Sequence, residues 1–339
     1  MVRKKRKGVS NYGDNYGSFS NIQRIVFEAK EMENLASKTV KGYGRVFTAL
    51  NEYFSNDFDA INMTHSDAKD FVRWLQNDKI HYRDKFHKDG IQRGIKPSTI
   101  NTYLKICKSI YEVLVNEELI ETNPFTKIPC MKRRDERIKT IPPEDIRLLL
   151  DSLDKHYYTE FRIYVVIHVL MDTFGRIDEV LSIRKDDIDF ENRTILFAKT
   201  KNGEPRYVGF SPKTKRLINE LLDECREFNT PYVFLGVNGE RLQPEAFRAN
   251  LKRYCNMYNI KTHITPHMFR HTAAMLFLEN GGNMRVLQKI LGHKKIATTE
   301  IYAHVSENIK LVEQSTFSPL DSIFKTTTQI NMRHNKRRK

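Results

Sequence analysis

Cysteine is scarce in this chain, and Cys107, Cys130, Cys225 and Cys255 form no Cys-x-x-Cys pair and no ligand-spaced cluster. That pattern excludes the common zinc modules and offers no disulfide framework, so the thiols read as reduced and the compartment as cytoplasmic. There is no His-Glu-x-x-His helix, no paired-carboxylate motif and no Gly-x-x-x-x-Gly-Lys phosphate loop. Neither a metal nor ATP is expected, and no other cofactor is implied. No apolar run nears the ~20 residues that span a bilayer. The basic start of the chain lacks a following apolar segment, so no secretory signal and no membrane partner are expected. No internal repeat is visible.

Positive charge is abundant. Lys plus Arg number 57 against 42 Asp plus Glu, a formal net charge of +15 over 339 residues. Such an excess favours a polyanionic partner, most often nucleic acid. Hydrophobic residues make up 40% of the chain, enough for buried cores, and the length suits two domains.

The order of segments divides the chain. Residues 1–20 are rich in Lys, Gly, Ser and Asn and read as a basic disordered arm, with a nuclear-localisation cluster as the competing reading. Residues 21–124 read as a small helical domain. A helix opens at Ser37-Lys38-Thr39, with Val40, Tyr43, Val46, Phe47 and Leu50 at helical period. A second spans 67–75 behind the N-cap candidates Thr64 and Ser66, and a third begins at Pro97-Ser98-Thr99. Residues 81–94 read as a loop. Residues 125–139 read as an exposed basic linker in which Lys132, Arg133, Arg134 and Arg137 are candidate DNA-backbone contacts. Residues 140–314 read as a second domain, helical apart from a hairpin. Its strands are 194–198 and 206–210, joined by a tip that contains Asn202-Gly203. Residues 315–339 form a tail. The fold class is mainly α with a small β-sheet.

The second domain carries the chemistry-bearing residues. Arg176 follows a strongly apolar helix and stands in Gly175-Arg176-Ile177-Asp178-Glu179. His267-x-x-Arg270 places two side chains on one helix face. Leu291-Gly292-His293 comes next, and Tyr302 lies nine residues beyond His293. Arginine is planar, bidentate and always charged, so a pair of arginines can stabilise charge that spreads over phosphoryl oxygens during in-line attack. Any one of these residues taken alone would be read as a surface charge or a packed ring. His293, next to Gly292, has a helix-capping reading.

In order and spacing, Arg176, the hairpin lysines, His267-x-x-Arg270, His293 and Tyr302 resemble the tyrosine recombinase (integrase) family. The Ser37, Thr39, Tyr43 run and the Pro97-Ser98-Thr99 helix resemble its core-binding domain. The resemblance implies an α+β catalytic domain and a 3′-phosphotyrosyl intermediate at Tyr302. Arg176 and Arg270 would clamp the phosphate, His267 would take the phenolic proton and His293 would donate to a non-bridging oxygen. A lysine at the hairpin tip would protonate the leaving 5′-oxygen. Lys199 is preferred, with Lys201 the alternative. Glu179 would buttress the first arginine. One departure stands out: the family usually has glycine two residues before this arginine, where the chain has Phe174.

The implied function is cleavage and rejoining of double-stranded DNA at specific recombination sites. The implied assembly is a homotetramer on DNA, since exchange needs four cleavages. A separate directionality factor is a further implied partner. A phage or mobile element is the implied setting. The apolar positions between Ile309 and Phe324 would dock on a neighbouring subunit or fold back on their own domain. A catalytically silent DNA-binding regulator on the same fold is the alternative, and a type IB topoisomerase a third.

Overall fold

The computed structural model describes residues 17–33, 35, 37–55, 58–80, 93–132, 138–198 and 204–305. The chain splits into two compact units, Met1–Glu136 and Arg137–Lys339.

The first unit is helical. Its helices are α1 (Phe19–Met32), α2 (Ser37–Tyr53), α3 (His65–Asn77) and α4 (Pro97–Asn116). Helix α4 packs against the other three, and its Ile100, Leu104, Cys107, Ile110, Tyr111 and Leu114 are buried at helical spacing. Thr64 closes a capping box with Asp67 at the start of α3, so two otherwise orphaned amides are satisfied. Helix α1 begins two residues earlier than the helical region read from sequence, behind the cap of Ser18.

One sequence reading is corrected here. Residues 125–139 were expected to be exposed throughout, yet Phe125 and Ile128 are buried in the core of the first unit. Asn101 ties them down further, since its side chain exchanges two hydrogen bonds with the backbone of Met131. Two apolar side chains among the lysines suffice to dock the segment, because burial of each contributes about 1.5–3 kcal/mol. Lys132 is exposed, whereas Arg133, Arg134 and Arg137 lie outside the described residues.

The second unit begins with α5 (Pro143–Ser152), with Glu144 and Asp145 in its first turn. Helix α6 (Tyr158–Thr173) is apolar on all sides and correspondingly central, with α8 (Pro212–Glu224), α9 (Pro244–Met257) and α10 (Pro266–Glu279) packed around it. After the one-turn helix α7 (Ile177–Val180) comes a three-stranded antiparallel sheet in the order β1 (Ile188–Asp189), β2 (Thr194–Phe197), β3 (Arg206–Gly209). The β2–β3 register pairs Phe197 with Arg206 at the end nearest the hairpin tip. Strand β1 escaped the sequence reading because two residues are too short to show an alternating pattern. Helix α11 (Met284–Leu291) ends at Gly292 in the left-handed conformation, and a 3-10 segment, Glu300–Val305, carries Tyr302.

The turn between α6 and α7 accounts for the departure at Phe174. Phe174 itself takes the left-handed conformation at the end of α6 (φ 55°), the position where glycine would be unstrained. Its ring packs edge-on against Phe277, with centroids 5.7 Å apart. Gly175 is needed for space: a Cβ there would lie 2.7 Å from a Val180 methyl and 2.9 Å from the Phe197 ring. Gly175→Ala is therefore expected to destabilise the second unit by about 1–3 kcal/mol through overpacking. It should also slow DNA cleavage by shifting Arg176. Denaturant unfolding with a cleavage assay checks this, and unchanged stability would disprove the close approach.

Candidate active site

Arg176, His267, Arg270, His271, His293 and Tyr302 line one cavity of about 710 Å³. Four separate pieces of chain build it: the α6–α7 turn, α10, the end of α11 and the segment around Tyr302. Lys199 and Lys201 lie outside the described residues; Arg206, at the strand end that follows them, reaches Glu179 behind Arg176.

A buried carboxylate organises the cations. The Glu179 side chain is only 3% exposed. One of its oxygens accepts from the Arg176 backbone N–H at 2.8 Å and the other from the Arg176 guanidinium at 2.9 Å. Arg206 grips the same carboxylate through both terminal nitrogens, at 3.1 and 2.8 Å. Arg270 approaches to 3.9 Å. Burial alone would raise the Glu179 pKa, but the hydrogen bonds from Arg206 and Arg176, with their charges, outweigh it and hold the carboxyl below its ordinary value. Three guanidinium groups thus share one anion, and the cavity keeps a net positive field.

Arg270 is almost fully buried at 2% exposure. It donates to the backbone carbonyls of Phe174 and Leu291, each at 2.7 Å. Burial, and then the neighbouring Arg176, push its pKa down to about 10, so it remains charged at neutral pH. A terminal nitrogen of Arg270 also stands 3.2 Å from His293 Nε2. A guanidinium has no lone pair to offer, so Nε2 is the acceptor and the His293 proton sits on Nδ1, which donates to Thr299 Oγ1 at 3.0 Å. Burial and the Arg270 charge depress the His293 pKa to about 4. The role of donor to a phosphate oxygen would require a proton on Nε2, which a bound anion favours.

Tyr302 is 1% exposed, and burial raises its pKa to about 12 against the pull of Arg270. The sequence reading gave its proton to His267. The ring that meets the Tyr302 hydroxyl is instead that of His271, with Nδ1 2.6 Å from the oxygen. His267 stands edge-on to His271, one turn back along α10, with ring centroids 4.5 Å apart. Sequence reasoning therefore missed His271, Arg206 and Thr299. His271 had a usable signal, since it follows His267 by four residues and shares its helix face. Arg206 had a weaker one, as the first residue of a strand after the turn. Thr299 had none.

Comparison with known proteins shows the family. Residues 139–308 match the phage integrase family. The chain is 29% identical over 254 residues to tyrosine recombinase XerD of Lacticaseibacillus casei, covering 71% of this chain and 85% of that protein. It is 27% identical over 302 residues to tyrosine recombinase XerC of Bacillus pumilus, covering 85% and 94%. Its fold is similar to that of the Tn1549 transposon integrase solved with transposon right-end DNA, with a TM-score of 0.68 at 20% identity, covering 88% and 99% of the two chains. The chain belongs to the phage integrase family, and it is an enzyme, a tyrosine recombinase.

The Glu179 cluster makes a prediction. Glu179→Gln keeps the size of the side chain but leaves three arginines without their anion. Unfolding free energy should fall by about 3 kcal/mol, as for a buried ion pair broken from one side. DNA cleavage should slow as well. Chemical denaturation gives the number, and wild-type stability in the variant would show that the arginines do not depend on this carboxylate.

Proposed function

We propose that the chain cuts and rejoins double-stranded DNA at specific sites, with Tyr302 attacking the scissile phosphodiester to leave a 3′-phosphotyrosyl link. The observation that carries this reading is the convergence of a buried tyrosine hydroxyl, two arginines and three histidines on one cavity. Arg176 and Arg270 hold the non-bridging oxygens and stabilise the charge that develops on them. His267 and His293 contact the phosphate. A lysine of the hairpin tip, Lys199 in preference to Lys201, gives a proton to the departing 5′-oxygen. The bond energy is kept in the phosphotyrosyl link, so rejoining needs neither ATP nor metal.

The rest of the assignment follows from this chemistry. The basic first unit, with Lys132, Arg133 and Arg134, contacts the DNA backbone, and so does Arg137 at the start of the second. Among the described residues no helix is long and apolar enough to cross a membrane, which suits a DNA-associated protein of the cytoplasm. Exchange between two duplexes breaks four phosphodiesters with one nucleophile per chain, so four copies assemble on DNA. The segment after Gln314 lies outside the described residues, with docking on a neighbouring copy and folding back on its own domain as its two readings, and a separate factor sets direction. A phage or other mobile element is the setting that the family suggests.

A nicked duplex that traps the covalent adduct tests the centre of the proposal. Tyr302→Phe should bind a half-site nearly as well as the wild type and form no adduct. Arg176→Ala and Arg270→Ala should each slow adduct formation by about 10²–10³ with a much smaller loss of binding. Equal losses in rate and affinity would make these arginines binding residues, and an adduct in Tyr302→Phe would remove the nucleophile. The native mass of the wild-type complex on two full sites should correspond to four chains.

The general acid has its own test. A 5′-bridging phosphorothiolate leaves without a proton, so it should restore cleavage by Lys199→Ala to near the wild-type rate. Restoration of Lys201→Ala alone would move the role to Lys201.

A further inference from the structure

Tyr302 is a poor nucleophile until its proton has somewhere to go. Among the described residues its hydroxyl makes one side-chain hydrogen bond, to His271 Nδ1 at 2.6 Å. The two rings lie 5.8 Å apart between centroids and are inclined at 54°, so they meet through the Nδ1–hydroxyl contact rather than by stacking. His271 lines the same cavity as Arg176 and Arg270. It is fixed there by α10, one residue after Arg270 and one turn after His267. We propose that His271 is a catalytic residue that accepts the Tyr302 proton as the phenolic oxygen attacks, which leaves His267 to the phosphate. This rests on the assignment of Tyr302 as nucleophile.

The electrostatics of the site suit the role. Burial first, and then Coulombic coupling to His267, Arg270 and His293, holds the His271 pKa at about 4. Its ring is therefore neutral at working pH and always has a lone pair to offer. Burial holds the Tyr302 pKa near 12, so at neutral pH the phenol keeps its proton until a base takes it. An arriving phosphodiester brings negative charge into the field of the arginines. That charge offsets the cations that depress His271 and raises its basicity when the base is needed.

The step balances. The Tyr302 O–H bond breaks and its proton passes to His271 Nδ1, giving an imidazolium. The phenolic oxygen bonds to phosphorus, and the bond from phosphorus to the 5′-oxygen breaks. That oxygen takes its proton from the hairpin lysine proposed above. On rejoining, a 5′-hydroxyl attacks the phosphotyrosine, the lysine recovers a proton, and the imidazolium returns its own to the departing phenolate.

The bland alternative is that His271 only fixes the ring of Tyr302 in place. His271→Asn separates the two roles, because an amide oxygen near the position of Nδ1 keeps the hydrogen bond but is not basic. Single-turnover adduct formation on the nicked duplex would be measured from pH 5.5 to 9.5 for the full-length wild type, His271→Asn, His271→Ala, His267→Asn and Tyr302→Phe. Half-site binding and thermal melting would be measured for each.

The wild-type rate should be flat across the middle of this range. His271→Asn should be slower by about 10²–10⁴ at pH 7, the usual contribution of a general base. Its rate should climb tenfold per pH unit, since the phenol must then ionise unaided. Added imidazole should restore part of the activity of His271→Ala. His267→Asn should be slow but keep the flat profile. Three results would overturn the proposal: a wild-type rate and profile in His271→Asn, a loss with a flat profile and no imidazole rescue, or the pH slope moving to His267→Asn. An adduct formed by Tyr302→Phe would instead refute the nucleophile, whatever the histidine variants do.

Discussion

Three guanidinium groups, those of Arg176, Arg206 and Arg270, converge on the carboxylate of Glu179, and the remainder of the site depends on that convergence. Like charges at contact distance repel by about 4 kcal/mol even at the effective dielectric near a protein surface. One shared anion offsets much of this without neutralising the cavity. Glu179 is placed for the task by its own chain, since it sits in the first turn of α7 and accepts the Arg176 backbone N–H. Arg206 brings in the hairpin, because its Nε donates to the Ile290 carbonyl of α11 at 2.8 Å and its guanidinium lies over the Phe197 ring. Hairpin, α7 and α11 are thereby fixed around a single buried group.

The same positive field explains the state of the histidines. Two rings beside Arg270 are kept neutral, His271 by burial and its charged neighbours, His293 by burial and Arg270 itself. A neutral imidazole offers one acceptor nitrogen: that of His293 takes the Arg270 N–H, and His271 Nδ1 shares a hydrogen bond with the Tyr302 hydroxyl. Arg270, the two rings and the buried Tyr302 hydroxyl are thus tied together by hydrogen bonds within one cavity. An anionic ligand is the natural perturbation of that set, since it competes for the donors and reverses the sign of the local field.

Most of this architecture was legible in the sequence, and the parts that were not have specific causes. Helix α11 was readable at both ends because Asn283 caps its start and Gly292 its finish. Helix α6 was readable from its dense apolar content, Ile163 to Ile167 and Val169 to Met171. The docking of Phe125 and Ile128 was hidden among lysines, because two apolar side chains in a basic run carry no period. Arg176, Arg270, His267, His293 and Tyr302 stood out by order and spacing, and all five line one cavity. His271 was overlooked because it sits directly beside Arg270, and adjacency in sequence obscures adjacency across a helix turn. Arg206 acts through contacts with Glu179 and Ile290, far from it in sequence, and Thr299 through His293 six residues back, a spacing outside the helix period.

The two strongest acceptors of Arg270 are main-chain oxygens, those of Phe174 and Leu291. A carbonyl belongs to the backbone and survives any replacement of the side chain it follows. Residues 174 and 291 can therefore drift in identity, within the limits of a left-handed turn and a helix end, while the guanidinium stays aimed. Mutational tolerance of this kind decouples the chemistry from the lettering of its supports. It suits an enzyme whose fold persists among relatives that share only a fifth to a third of their residues.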